Sequence, residues 1–136
     1  MRQNALGALG ETLAEGWLRR RGYRIVEKPN KYAHYDFLVE RRGDREYVEV
    51  KTKRVTGTGE DRRHDIRPEG VAFWEGALHP VRFLLVFIDF EAQTWWVEER
   101  RYGEFRRTGI AKWKLVAPEP RTPRRRYPLP GGPPDR

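Results

Sequence analysis

Two segments of alternating apolar and polar residues, 35–39 and 47–53, are joined by residues that favour a tight turn. Alternation with a period of two is typical of strands with one buried and one solvated face. Either Gly43-Asp44 or Arg42-Gly43 can form the centre of a two-residue turn between them. The sequence therefore predicts a β-hairpin, with two registers open.

This hairpin gathers polar side chains on one face of the sheet, because opposite residues of an antiparallel pair share a face. With Gly43-Asp44 as the turn, Asp36 lies opposite Lys51. With Arg42-Gly43 as the turn, Asp36 lies opposite Glu49. Both registers bring Asp36, Glu49 and Lys51 within roughly 5–8 Å of one another.

Two carboxylates and an ammonium group at this spacing suit a hard divalent cation and a phosphate. A nuclease that uses magnesium needs oxygen ligands and retains several waters. Asp36 and Glu49 can supply carboxylate oxygens, and the main-chain carbonyl of Val50 a third oxygen. Lys51 can position the attacking water or neutralise the phosphate. The alternative is that residues 49–53 are simply the wet face of a strand.

The composition limits the classes of function. The chain has 136 residues, no cysteine and a formal charge of +8. This length supports one domain, and the charge predicts a polyanionic partner, either nucleic acid or a membrane surface. The absence of cysteine excludes disulfides and thiolate zinc sites, and the three histidines lack metal-ligand spacing. Without a long apolar run or a signal-peptide hydrophobic region, we expect a cytoplasmic protein that does not insert into membranes.

Periodicity predicts the other elements of an α/β domain over residues 1–117. The apolar residues Leu6, Leu9, Leu13 and Trp17 recur at helical spacing and predict an amphipathic helix of about four turns. This helix should end at Gly22. A short strand is predicted over residues 23–27. A second helix is predicted to begin at Pro68 and to end near Pro80. Residues 82–88 are an almost unbroken apolar run, typical of a central strand covered on both faces.

The C-terminal part of the chain divides into strands and a tail. Strands are predicted at residues 94–97 and 111–116. Trp95 and Trp96 should point to opposite faces, so that one lies in the core and the other stacks on a base or buries a dimer interface. Residues 118–136 contain seven of the ten prolines and predict a disordered tail rich in proline and arginine.

The order of these features resembles the PD-(D/E)xK nuclease superfamily, in particular its small resolvase-like members. Those members include archaeal Holliday-junction resolvases and a widespread family of small bacterial proteins. The likeness covers about residues 5 to 90 and rests on four landmarks, Gly10-Glu11, Gly22-Tyr23, Asp36-Phe37 and Val48-Glu49-Val50-Lys51. Tyr35 departs from the proline or isoleucine that commonly precedes the aspartate. The resemblance implies a restriction-endonuclease-like core of a helix, a mixed central sheet that contains the hairpin, and a second helix.

The resemblance also implies a catalytic set, with Mg²⁺ or Mn²⁺ as the cofactor and Glu11 as an auxiliary metal or water contact. That set comprises Glu11, Asp36, Glu49 and Lys51. Glu11 lies on the margin of the apolar stripe, from which it can reach over the sheet. Glu15, one turn later, points away from the stripe and is expected to be a solvated carboxylate.

Basic residues outside this set are candidate contacts to nucleic acid. Lys53 shares the face of Lys51, so it can touch the backbone beside the scissile phosphate. The remaining candidates are Arg19, Arg20, Arg21, Arg62, Arg63, Arg124, Arg125 and Arg126. Each of them can equally be a solvated surface charge.

The first hypothesis for the function is a magnesium-dependent endonuclease acting on DNA, including branched or flapped structures. The sequence contains no helix-turn-helix or zinc finger, so we expect recognition of shape and backbone. The alternatives are a non-catalytic nucleic-acid-binding or accessory module and an RNA-processing nuclease. A homodimer, which two-sided cleavage of a junction requires, is a further expectation.

Overall fold

The computed structural model describes residues 3–30, 33–57, 63–66, 68–104, 106–108, 113–116 and 125–131. The helices are α1 (Gln3–Arg20) and α2 (Pro68–Glu75), and a 3-10 turn spans Tyr102–Glu104. The strands are β1 (Arg24–Glu27), β2 (Phe37–Arg41), β3 (Asp44–Arg54), β4 (Arg63–Ile66), β5 (Val81–Asp89), β6 (Thr94–Arg101), β7 (Arg106–Thr108), β8 (Trp113–Val116) and β9 (Tyr127–Pro128). Neither described helix is both long and apolar enough to span a bilayer.

The predicted amphipathic helix is confirmed as α1. Leu6, Leu13 and Trp17 are buried, and Leu9 packs at the margin of the same core. The helix ends where Gly22 adopts a φ of 85°. There the Gly22 N–H donates to the Arg19 carbonyl at 3.0 Å and the Tyr23 N–H to the Leu18 carbonyl at 3.1 Å, which satisfies the last carbonyls of the helix. Glycine reaches this left-handed conformation without a steric penalty.

The central sheet has six strands in the order β1-β2-β3-β5-β6-β9. The pairing of β3 with β5 is parallel, and the other neighbours are antiparallel. A parallel pair needs a crossover, and the crossover between β3 and β5 contains β4 and α2. A helix, a mixed sheet that includes the β2–β3 hairpin, and a second helix form the predicted restriction-endonuclease-like core.

The β2–β3 hairpin adopts the second of the two predicted registers. Arg41 pairs with Asp44 and Phe37 with Val48, so Arg42-Gly43 forms the turn. Arg42 and Gly43 have φ angles of 55° and 84°, the pattern of a type I′ turn. The strand pairing ends at Phe37 and Val48, and the Asp36 N–H donates to the Val48 carbonyl, so Asp36 lies beside Glu49.

Apolar side chains cover both faces of the sheet. On β5, Leu84, Val86 and Ile88 pack with α1, whereas Phe83, Leu85 and Phe87 pack with α2. All six are essentially inaccessible to solvent. The run over residues 82–88 is therefore the predicted central strand, and the two helices lie on opposite faces of the sheet.

Three expectations for the chain beyond residue 68 differ from the structure. The second helix ends at Glu75, before Gly76 and well short of Pro80. Trp95 and Trp96 do point to opposite faces, but both are buried, at 3% and 0% exposed, because each face has its own core. The idea that one of them stacks on a base or forms a dimer interface is therefore wrong.

Part of the predicted disordered tail is ordered against the domain. Residues 125–131 contain β9, which pairs with the β6 residues Thr94 and Trp95. The Trp95 ring lies 4.8 Å from the Tyr127 ring, and the Trp95 indole donates to the Pro128 carbonyl at 3.2 Å. The proline-rich composition of the tail gives no indication of these contacts with Trp95. The rest of the tail lies outside the described residues.

A second sheet of three antiparallel strands has the order β4-β8-β7. Its strand β8 falls within the strand predicted at residues 111–116. Strand β4 lies in the connection between β3 and α2.

Candidate functional site

Asp36 lies where β2 meets the middle of β3, and the backbone fixes it from two directions. Its N–H donates to the Val48 carbonyl at 2.8 Å. Its Oδ2 accepts the Val50 N–H at 2.7 Å. The carboxylate therefore completes the hydrogen-bond ladder where strand pairing between β2 and β3 ends, and a charge-assisted bond of this kind holds its orientation.

Glu49 and Lys51 project from the same face of β3, since they are two residues apart on a strand. The Glu49 side chain is 13% exposed and the Lys51 side chain 26%. Lys51 Nζ lies 3.8 Å from Glu49 Oε1. The ammonium group thus has access to solvent in front of a carboxylate that is largely enclosed.

Glu11 reaches this site because α1 lies unusually close to β3. A Cβ atom at Gly10 would lie 1.8 Å from Thr52 Oγ1 and 2.7 Å from Thr52 Cβ. Only glycine allows the helix backbone to approach a strand side chain to this distance. The next residue, Glu11, lies near enough to Asp36 for Asp36 to raise its pKa, and both line one cleft. The structure therefore brings Glu11, Asp36 and Glu49 together, from α1, β2 and β3.

Burial and the neighbouring Asp36 raise the pKa of both glutamates of the site. Partial burial, a hydrogen bond with Asp36 and the charge of Asp36 raise the pKa of Glu11 to about 7, against the lowering effect of Lys28. Burial, and after it the charge of Asp36, raises the pKa of Glu49 well above its ordinary value, while Lys51 acts in the opposite direction. The site holds more negative charge than its lysines neutralise, which is the condition that a bound cation relieves.

The oxygen donors fit a magnesium or manganese ion that retains water. The N–H and C=O groups of one strand residue point to the same strand edge. The Val50 N–H points to Asp36, so its carbonyl also points away from β5, towards the end of β2. Two carboxylates and one carbonyl are a suitable set for Mg²⁺, which usually keeps several waters. Within the described ranges, no group of three acidic, histidine or cysteine side chains is placed to hold a metal ion, so the Val50 carbonyl and waters would be needed to complete the ligand set.

A cleft of about 450 Å³ opens between α1 and the segment that leads into β2, with Glu11 and Asp36 in its wall. Glu15 also lines it, which differs from the expected solvated position. Ion pairs with Lys28 and with Arg19, the latter at 3.3 Å, lower the pKa of Glu15. Since Glu15 already has two cationic partners, Glu11 stays the better candidate for a metal or water contact.

The segment before Asp36 is anchored by α2, through a contact that sequence reasoning missed. The Trp74 indole N–H donates to the His34 carbonyl at 2.7 Å. Trp74 itself is buried among the core residues of the α2 face. No sequence signal links two residues forty positions apart.

The arginines at the end of α1 have partners within the protein. Arg19 pairs with Glu15. The Arg21 guanidinium lies 3.6 Å from the centre of the Trp17 ring. It also donates to the Tyr127 hydroxyl at 3.3 Å. Arg20 lies 6.0 Å from the centre of the Tyr127 ring. A phosphate contact from Arg19 or Arg21 would have to displace or share these interactions.

The structure describes the other proposed nucleic-acid contacts to different extents. Arg125 lies over the Tyr127 ring at 5.3 Å, and Arg126 Nη1 is 3.7 Å from Asp89 Oδ2. Lys53 is half-buried on the face of Lys51. Arg62 and Arg124 lie outside the described residues, and Arg63 is described only by its backbone in β4.

Part of the chain is similar to two curated proteins. A UPF0102 protein of Syntrophomonas wolfei is 41% identical over 56 residues, which are 40% of this chain and 49% of that protein. A UPF0102 protein of Corynebacterium efficiens is 47% identical over 57 residues, which are 40% of this chain and 47% of that protein. The chain thus spans about half the length of the curated relatives it matches. No family model matches it.

Proposed function

We propose that this protein is a Mg²⁺- or Mn²⁺-dependent endonuclease that hydrolyses phosphodiester bonds in DNA. One observation carries the proposal: carboxylates from α1, from the residue before β2 and from β3 lie close together beside Lys51, and two of them, Glu11 and Asp36, line a cleft. The resemblance to small resolvase-like nucleases and the charge of +8 agree with it.

Each residue of the site has a role that its geometry supports. Asp36 and Glu49, with the Val50 carbonyl, would hold the cation. When bound, the cation neutralises the negative charge that develops on the phosphate oxygens. Lys51 reaches solvent in front of these carboxylates, where its charge holds water or the scissile phosphate. Glu11, with a pKa of about 7, accepts a proton near neutral pH.

A role limited to binding DNA fits this site less well. Phosphates carry negative charge, so carboxylates that face them weaken binding unless a cation intervenes. A surface that only binds DNA gains nothing from three such groups, of which Glu11 and Glu49 have raised pKa values. Cleavage explains them, because it requires metal ligands and an acceptor for a proton.

The test is metal-dependent cleavage of a panel that contains linear duplex, single strand, flap, four-way junction and RNA. Mg²⁺ or Mn²⁺ should support cutting, whereas Ca²⁺ should support binding alone. Asp36→Asn, Glu49→Gln and Lys51→Ala should each reduce the rate at least about 100-fold. The carboxylate variants should keep or increase their affinity for DNA, because they remove charge that faces phosphate.

Glu40→Gln is the matched control, since it removes a paired carboxylate from the same strand as Asp36. It should cut normally. Full activity in Lys51→Ala, or no cleavage of any substrate with either cation, would contradict the proposal. Cleavage confined to RNA would redirect it to an RNA-processing nuclease.

A further inference from the structure

Five aromatic side chains form a surface group beside the carboxylates, which we call the aromatic cluster. Its members are His34, Tyr35, Tyr47, Phe73 and His79. They come from the segment before β2, from β3, from α2 and from the segment before β5. The tertiary fold, rather than any local pattern, brings them together.

The rings of the aromatic cluster are in direct contact. The Tyr35 ring lies 4.6 Å from that of Tyr47 and is stacked on Phe73 at 5.6 Å, with 15° between the planes. Tyr47 also contacts Phe73 and His79, each at 5.3 Å. These separations lie within the range of favourable aromatic pairs.

The aromatic cluster adjoins the candidate catalytic residues. Tyr35 immediately precedes Asp36 and lines the same cleft. Tyr47 precedes Glu49 by two residues, so both point to one face of β3, about 7 Å apart along the strand. Along this face β3 presents an aromatic ring, a carboxylate and, at Lys51, an ammonium group.

Every member of the aromatic cluster is partly buried rather than fully enclosed, and Tyr47 and Phe73 also pack against the core on the α2 face. Phe87 and Trp96, by contrast, are stacked at 5.1 Å but fully buried. The Tyr35 hydroxyl donates to Glu27 Oε1 at 2.6 Å, which fixes the ring. This bond is the largest cause that raises the pKa of Tyr35 to about 12, so its hydroxyl stays neutral. The cluster is thus an oriented aromatic surface that retains some solvent access.

We infer that the aromatic cluster stacks an unpaired nucleobase of DNA next to the scissile phosphate, with Tyr35 as the ring nearest the cleavage site. The substrates would then be single strands, frayed ends or flaps rather than continuous duplex. This role rests on the proposed nuclease function and assigns its substrate class.

The reason is the accessibility of bases. In a continuous duplex both faces of every base are stacked, so rings beside the backbone cannot reach them. An unpaired nucleotide can place its base on an aromatic ring while its phosphate remains at the carboxylates and Lys51. Aromatic stacking together with positive charge is a general means of holding single strands without reading their sequence. The formal charge of +8 favours the binding of single-stranded DNA, which is a polyanion.

The experiment measures binding in Ca²⁺, with 2-aminopurine at each position of a single-stranded oligonucleotide in turn. Stacking on a ring quenches the fluorescence of this base. The protein should bind the single strand at least about 10-fold more tightly than the matched duplex and quench the probe at one or two positions. Tyr35→Leu should weaken binding roughly 5- to 100-fold and abolish the quenching.

Two further variants separate stacking from packing. Tyr35→Phe keeps the ring and loses only its hydroxyl bond to Glu27, so the quenching should persist. Phe90→Leu removes a half-buried ring beyond the far end of β5, about 20 Å along the sheet from the site, and should change nothing in the assay. Thermal unfolding of each variant shows whether it is folded.

Equal affinity for single strand and duplex would overturn the inference. So would quenching that survives in folded Tyr35→Leu. A Tyr35→Leu protein that binds and quenches as before, and differs only in its thermal stability, would overturn it as well. Failure of the nuclease proposal is a different result, namely no cleavage of any substrate although the probe is still quenched. In that case the aromatic cluster would hold single strands in a protein that does not cut them.

Discussion

Replacing Gly10 by alanine tests whether the close approach of α1 to β3 places Glu11 in the site. The new Cβ would lie 2.7 Å from both Cβ and Cγ2 of Thr52, and 1.8 Å from its Oγ1. Rotation of Thr52 can move the hydroxyl and the methyl group, but Thr52 Cβ is fixed to the backbone. To restore ordinary contact with that atom alone, the helix must move away by about 0.7 Å.

Two effects of opposite sign then compete. Alanine favours a helix over glycine by about 1 kcal/mol, whereas overpacking costs about 1–3 kcal/mol. The net result should be a loss of up to about 2 kcal/mol in unfolding free energy, measured by urea titration. Because Glu11 moves with the helix, single-turnover cleavage should fall by about 100-fold.

Gly7→Ala is the control, because the same helix has open space at Gly7. It should be neutral or stabilising and fully active. Combining Gly10→Ala with Thr52→Ala removes two of the three clashing atoms, so the double variant should lose less than the sum of the single losses. A Gly10→Ala protein as stable and as active as Gly7→Ala would refute the reasoning.

Three further perturbations follow from the site and from the strand near the C-terminus. Because Glu11 and Glu49 bind protons more tightly when folded, the metal-free protein should lose stability as the pH rises from 4.5 through about 7. Millimolar Mn²⁺ should raise the melting temperature more at about pH 8 than at about pH 5, and an equal effect would count against a cation at these carboxylates. Trp74→Phe should weaken Mn²⁺ binding, measured by calorimetry, because the His34 carbonyl loses its donor; unchanged affinity would rule out a role for this bond in holding Asp36. Truncation after residue 117 should lower the melting temperature by removing β9, whereas truncation after residue 131 should not; a stable shorter form would mean that β9 contributes little.

The hairpin and its acidic residues could be predicted because their geometry is local. Strand alternation sets Asp36, Glu49 and Lys51 on one face in either register, so the uncertainty about the turn did not affect the grouping. Only the φ angle of Arg42 decides between the registers, and several residue types tolerate a left-handed turn. Glu11 followed from its place on the margin of the apolar stripe.

Non-local contacts account for what the sequence did not reveal. The aromatic cluster draws on β3, α2 and two connecting segments, so no window of sequence contains it. Composition predicted disorder beyond Pro118, yet Tyr127 packs against the core on the α1 face of the sheet. A few apolar anchors can order a proline-rich segment when a distant strand offers a partner, and composition alone does not reveal that partner.

The contact of Tyr127 with Arg21 joins residues 106 positions apart and has a consequence for synthesis on the ribosome. The chain emerges N-terminus first, so α1 and the β2–β3 hairpin can form early. Until residue 127 emerges, however, β6 lacks its outer neighbour at Thr94 and Trp95, and an unpaired strand edge invites pairing with another chain. The interval between the emergence of β6 and that of residue 127 is therefore one in which this edge is open to pairing with another nascent copy.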